Sequence, residues 1–189
     1  MSGLYLASQS PRRTELLTQV GIEHTVVSSS YEEDNVVVTD PIEMVKAQAL
    51  GKARCAEGVP EGGIILGADT IVVFNGQVLG KPHSKDEARA MLRTLSGQVH
   101  SVITGVALLI KGREIVFHNE TKVYFKTLAD FEIESYIDSL EPMDKAGAYG
   151  IQGKGALWVD TIEGSYTNVV GLHVEHVYEE ICKALGVKS

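Results

Sequence analysis

Two cysteines, Cys55 and Cys182, are all that the 189 residues contain. They stand far apart and without C-x-x-C spacing, which excludes a disulfide framework and leaves both as small apolar side chains of a reduced chain. Long apolar runs are missing too. No stretch approaches the roughly 20 apolar residues that cross a bilayer, and no basic region leading into an apolar core opens the sequence, so the expected address is the cytoplasm, without a membrane partner. Positive charge is the third shortage: 17 Lys and Arg stand against 25 Asp and Glu, for a formal net charge of −8 and a pI near 5.2. A chain so acidic lacks the basic face that displaces counterions from nucleic acid, so nucleic acid is not an expected partner.

Two familiar phosphate loops are also absent, by counting. Gly76 and Gly80-Lys81 are separated by three residues rather than four, and Lys81 is followed by Pro82 where a P-loop has Ser or Thr. Gly147 to Gly153-Lys154 has five intervening residues, and Gly153-x-Gly155 has Trp158 where a dinucleotide fingerprint needs glycine.

What is present is an ordinary folded composition, 44% hydrophobic with a mean hydropathy of +0.03, long enough to bury a substantial core in a single domain, possibly bilobed. No repeat, low-complexity tract or linker interrupts it. Residues 3–7 read as a buried strand leading into a helix at Pro11 with Leu16, Leu17 and Val20 as its apolar stripe. A strand around 25–28 and an acidic segment, Tyr31-Glu32-Glu33-Asp34-Asn35, precede a helix over about 41–56 with Val45, Ala49 and Ala53 on one side. Residues 64–73 form a doubly buried strand, turned by Asn75-Gly76 into a hairpin that brings Lys81 back. A helix over 84–95 carries Ala88, Met91, Leu92 and Leu95. Strands over 99–110 and 114–126 form a hairpin. A helix with Ile133, Tyr136, Ile137 and Leu140 precedes a loop with four glycines in nine residues, from Gly147 to Gly155, a composition suited to tight turns and close backbone approach. A last strand and one helix over about 168–185 end the chain.

The chemistry is concentrated in few places. Ser10 reads as an N-cap and Pro11 as the first helical residue, so Arg12 and Arg13 occupy the opening turn, where the macrodipole disfavours cations. A phosphorylated ligand resolves that conflict, because backbone N–H groups, dipole and guanidinium groups would converge on its oxygens; solvated arginines are the plainer alternative. Asp69 lies inside an apolar run and therefore needs a partner, either as a functional carboxylate or as a cap on neighbouring backbone. Arg12, Arg13, Lys52 and Lys81 are candidate anion ligands, and Glu32, Glu33 and Asp69 candidate metal ligands or bases, a mixture suited to metal-assisted phosphoryl chemistry. His173 and His176 lack a third ligand and read as solvated. Trp158 reads as packing, and Tyr149 less securely so.

Together LASQSPRR at 6–13, GADT at 67–70, GKP at 80–82, MLRTLSG at 91–97 and EPMDKAGAYGIQGKGAL at 141–157 resemble the Maf family, the septum-formation-inhibitor-like nucleoside triphosphate pyrophosphatases, over nearly the whole chain. The resemblance implies one α/β domain over 1–189, an elongated twisted mixed sheet flanked by helices, with two lobes and a deep cleft, similar to inosine triphosphate pyrophosphatases. It implies hydrolysis between the α- and β-phosphates with a divalent cation, Mg²⁺ or Mn²⁺. Asp69 matches the general base and can also touch the metal. Glu33 matches the acidic residue near the metal, with Glu32 as the alternative. Ser8, Arg12, Arg13, Lys52 and Lys81 match substrate-binding positions, and Arg12, Thr70 and Gln152 those associated with substrate choice. GADT with GIQG resembles the subgroup acting on dTTP and UTP, with modified pyrimidine nucleotides in range. Homodimers are frequent in the family, and its naming carries an alternative, a nucleotide-binding regulator of cell division with little turnover. The sequence departs from the family at His173, where proline usually follows Gly-Leu, and this puts local rigidity in question more than catalysis.

Overall fold

The computed structural model describes residues 3–32 and 39–187. Glu33, the metal-side expectation, lies outside the described residues, as do Asp34 and Asn35. In chain order the elements are β1 (Leu4–Ala7), α1 (Pro11–Gln19), β2 (His24–Val26), α2 (Pro41–Arg54), β3 (Ile64–Phe74), β4 (Gln77–Leu79), α3 (Lys85–Leu95), β5 (Val99–Ile110), β6 (Arg113–Phe125), α4 (Asp130–Asp138), β7 (Val159–Glu163), α5 (Tyr166–Val170) and α6 (Val174–Leu185). Three short 3₁₀ turns, Glu141–Asp144, Ala146–Ala148 and Lys154–Leu157, fill the interval between α4 and β7. The strands form one seven-stranded mixed sheet in the order β2-β1-β3-β5-β6-β7, with β4 paired to β3. The fold is thus α/β. Among the described residues no helix is long and apolar enough to cross a membrane.

Local chemistry sets the element ends. Asp40 caps α2, its Oδ1 accepting from the N–H groups of Ile42 (2.9 Å) and Glu43 (3.0 Å), and Ser84 caps α3 through the Glu87 N–H at 3.1 Å. Both hairpin turns have two central residues at positive φ, Asn75 (49°) with Gly76 (77°) and Lys111 (50°) with Gly112 (73°), the twist that suits a two-residue connection.

The chain divides into two compact units whose boundaries fall inside strands: residues 1–70, 104–119 and 171–189 form the first, and residues 71–103 and 120–170 the second. In the first, β1 pairs in parallel with both β2 and β3, Ala7 lying opposite Gly67. Since β1 stops at Ala7, β3 runs on past it, and Asp69 and Thr70 lie beyond the carboxyl end of β1. The chain leaves that end toward β2 on one side while β3 pairs on the other, and open α/β sheets bind ligands outside the carboxyl ends of their strands. Val45, Ala49 and Ala53 of α2 are wholly buried. Gly67 of β3 admits that helix, for a β-carbon there would strike the Ala49 carbonyl and the Ala53 nitrogen, and Gly105 of β5 admits it at Val45.

In the second unit, Ala88, Met91, Leu92 and Leu95 of α3 pack with Val123, Phe125, Ile133, Tyr136, Ile137, Tyr149 and Trp158. Tyr149 is therefore core. Three expectations are corrected. Val20 caps the end of α1 and is half exposed, and Leu140 sits past α4 at φ 61°, also exposed; the apolar period runs one residue beyond the first helix and two beyond the second. The single helix over 168–185 is two, α5 and α6, parted at Gly171 with φ 136°.

Candidate active site

Successive side chains of a strand point to opposite faces, and β3 uses this at its functional end. Asp69 shares the face of Gly67, which lies against α2, and Lys52 from that helix places Nζ 2.7 Å from Asp69 Oδ1. The two side chains are only 16% and 14% exposed, so the pair is shielded enough from water for its attraction to persist while each charge keeps a compensating partner. The carboxylate inside the apolar run thereby finds the partner it requires.

The chain before the acidic segment is fastened to the same end of α2. Ser29 donates from Oγ to the Lys52 carbonyl at 2.9 Å and receives the Tyr31 N–H at 3.4 Å. The Tyr31 ring lies where a β-carbon on Gly51 would be. Glu32 follows directly and is exposed.

On the other face Thr70 meets α1. Ser10 and Pro11 take the N-cap and first helical positions, and the opening turn holds no acid. Arg13, 7% exposed, donates from Nη1 to Ser8 Oγ (2.8 Å), from Nη2 to Thr70 Oγ1 (2.9 Å) and from Nε to the Gly171 carbonyl (2.9 Å). Ser8 Oγ also receives the Ser10 N–H at 3.3 Å. Thr70 Oγ1 lies 2.9 Å from Thr104 Oγ1 and 3.3 Å from the Gly171 carbonyl. Arg12 beside it is half-buried in the same turn. The structure thus brings Ser8, Arg13 and Thr70 into one hydrogen-bonded cluster and Lys52 and Asp69 into an ion pair on the opposite face.

Lys81 and Gln152 belong to the second unit, both exposed. They are tied through the glycine-rich loop, where the Gly147 N–H donates to the Gly80 carbonyl at 3.0 Å. That loop folds around its own polar groups. Tyr136 donates from its hydroxyl to Glu141 Oε1 (3.0 Å) and accepts the Gly150 N–H (3.1 Å). Lys145 Nζ donates to the Glu141 carbonyl (2.7 Å) and Asp144 (2.6 Å). Gly153 leaves room for the Glu141 carboxylate, and Gly155 for the Gly150 carbonyl.

Sequence reasoning missed Thr104, wholly buried in an apolar strand, and the Gly171 carbonyl, which no side chain announces; the missing proline in Gly171-Leu172-His173 was the only hint. His173 and His176 are half-buried rather than solvated. His173 Nε2 pairs with Glu175 at 3.0 Å while its Nδ1 is buried with no hydrogen-bond partner among the described residues, and His176 Nδ1 lies 3.0 Å from the Asn119 amide. At φ −76°, His173 occupies backbone that proline would adopt. Among the described residues no group of three or more His, Cys, Asp or Glu is placed to hold a metal ion.

The model of one protein family, described as "Maf-like protein", matches residues 3–184. A protein of Symbiobacterium thermophilum named "dTTP/UTP pyrophosphatase" is 52% identical over 172 residues, 91% of this chain and 89% of its own. Proteins with the same name from Carboxydothermus hydrogenoformans (49% over 180 residues, 94% of this chain and 96% of the relative) and Bacillus cereus (44% over 181 residues, 96% and 95%) match at similar extent.

Proposed function

The chain belongs to the Maf family, and from that premise we propose that it is a nucleoside triphosphate pyrophosphatase cleaving dTTP and UTP between the α- and β-phosphates, releasing the monophosphate and pyrophosphate. The observation that carries the reading is the Asp69 carboxylate, held at 2.7 Å by Lys52, just past the end of β1 and next to a helix start that carries two arginines in place of acids. The relatives' names supply the pyrimidine substrates, and modified pyrimidine nucleotides fall within the same chemistry.

Asp69 takes the proton of the attacking water. Lys52 holds Oδ1 at 2.7 Å, which fixes the carboxylate in orientation and leaves its second oxygen to take the proton. The N-terminus of α1 and Arg12 bind the phosphates, their partial and full positive charges offsetting the triphosphate. Arg13 and Ser8 hold the loop that presents them. Lys81 steadies the polyphosphate, and Gln152, with Arg12 and Thr70, governs the choice of nucleotide.

A divalent cation, Mg²⁺ or Mn²⁺, fits this donor set. Mg²⁺ is bound by one or two carboxylates with phosphate oxygens and waters rather than by an all-protein cage, and Asp69 with a glutamate of the acidic segment, Glu33 or Glu32, meets that description. When bound, it would polarise the phosphate oxygens and offset their charge. The reaction belongs in the cytoplasm, in keeping with the two free cysteines.

Pyrophosphate release from dTTP, UTP, CTP, ITP and 7-methyl-GTP, with Mg²⁺ or Mn²⁺, tests the proposal against Asp69→Asn. Selective turnover of dTTP and UTP is expected, with a loss of about a hundredfold or more in the variant and retained nucleotide binding. Turnover that survives in Asp69→Asn removes the general-base assignment, and silence of the wild-type protein across the panel removes the enzyme reading.

A further inference from the structure

Thr70 Oγ1 has one proton to give and two lone pairs to fill. Arg13 donates only, so the Nη2 contact fills one lone pair. The proton serves either the Gly171 carbonyl at 3.3 Å or Thr104 Oγ1 at 2.9 Å, where either hydroxyl can be the donor. Either way its proton is engaged within the protein, and the Thr70 hydroxyl has none to give to a nucleotide. The Gly171 carbonyl is within reach of both the Arg13 Nε–H and the Thr70 hydroxyl. Its two lone pairs allow both, and Gly171 itself adopts φ 136°, where a β-carbon would be strained.

We propose that Thr104 is a positioning residue for the pyrophosphatase reaction, acting through Thr70 and Arg13 to hold the 8–13 loop at the end of β1. The inference rests on the pyrophosphatase reading and deepens it: Thr70 governs substrate choice by fixing the phosphate loop, not by a hydrogen bond to the base. Thr104 comes from β5, a strand with no other part in the chemistry, and its side chain is wholly buried. Its hydroxyl thus reaches substrate only through others. A chain of bonds runs from Thr104 to Thr70, to Arg13 and to Ser8, and every member belongs to the first unit.

The test compares Thr104→Val, Thr104→Ser, Thr70→Val and the Thr70→Val/Thr104→Val pair, with kcat and KM for UTP and dTTP and melting temperatures alongside. The Arg13 Nε–H resonance in ¹⁵N-arginine-labelled protein gives a readout independent of turnover. Thr104→Val is expected to lower kcat about tenfold through misplacement of the loop, with melting within a few degrees of wild type. Thr104→Ser restores it to within about twofold, and the pair is no worse than Thr70→Val alone, because the two hydroxyls act as one unit. The Arg13 resonance shifts in the valine variant and stays in place in the serine variant. Additive losses in the pair, serine no better than valine, or an unmoved Arg13 resonance in Thr104→Val would each overturn the proposal. If wild-type protein hydrolyses neither nucleotide, the pyrophosphatase reading fails and the Arg13 resonance alone decides whether Thr104 holds the bracket.

Discussion

The two units bury polar groups to opposite ends. In the first, Arg13 is buried as a cation, and Lys52 and Asp69 face each other as ions under partial cover. In the second, His100 is buried as a neutral ring. It contacts Phe125 edge-on at 4.8 Å and bonds Tyr149 Oη through Nε2 at 2.7 Å, and burial drives its pKa from 6.5 down to about 4. Tyr149 is pushed upward by the same burial, so both partners stay uncharged at neutral pH. Asn168 and Thr121 likewise serve the scaffold: Asn168 Nδ2 donates to the Val102 carbonyl (3.1 Å) and Thr121 Oγ1 (3.0 Å). In the first unit a buried polar side chain thus carries a charge or holds one in place. Elsewhere it closes hydrogen bonds and leaves packing to the aromatic rings.

Removing one charge from the first unit should break the contrast most sharply. Lys52→Met leaves Asp69 shielded and unpaired, and kcat/KM for UTP should fall by about two orders of magnitude with the second unit's near-ultraviolet signal from Trp158 and Tyr149 intact. Activity per folded molecule equal to wild type would reduce Lys52 to a structural role.

The neutral centre is tested by pH. Since the folded-state pKa of His100 lies below its unfolded value, the unfolded chain binds the extra proton first. The stability due to the neutral ring is fully present above pH 6.5 and lost as pH falls toward 4, approaching about 3 kcal/mol. His100→Gln should flatten that part of the profile in chemical denaturation measured from pH 7 to pH 4. An unchanged slope would mean that His100 is not the acid-sensitive group.

A smaller effect follows from geometry. Gly67→Ala forces α2 off the sheet and should cost roughly 1–3 kcal/mol. It carries Lys52 away from Asp69, so the loss of turnover should exceed the loss of folded protein. A variant that is destabilised yet fully active when folded would show that α2 tolerates displacement at the site.

Much of the scaffold is legible in the chain because its periods are strong: α3 shows its buried face in Ala88, Met91, Leu92 and Leu95, and Asn75-Gly76 dictates its own turn. Helix ends are less legible, since Val20 and Leu140 keep the apolar period after the backbone has left the helix. Asp69 announces itself as a carboxylate in an apolar run. Its partner does not, because Lys52 is 17 residues away and only the packing of α2 at Gly67 brings it in. Thr104 reads as one more β-branched residue among apolar neighbours, and the Gly171 carbonyl, belonging to the backbone, has no letter of its own.

The alternation of β3 has an evolutionary corollary. Asp69 and Thr70 are neighbouring codons, yet the plane of the sheet stands between the ion pair that one makes with α2 and the bracket that the other makes with α1. A point mutation at position 70 changes the bracket without displacing the carboxylate, whereas the gain or loss of one residue in β3 would exchange their faces and abolish both at once. On the proposal that Thr70 sets nucleotide preference, that preference is open to change by substitution and closed to change by insertion.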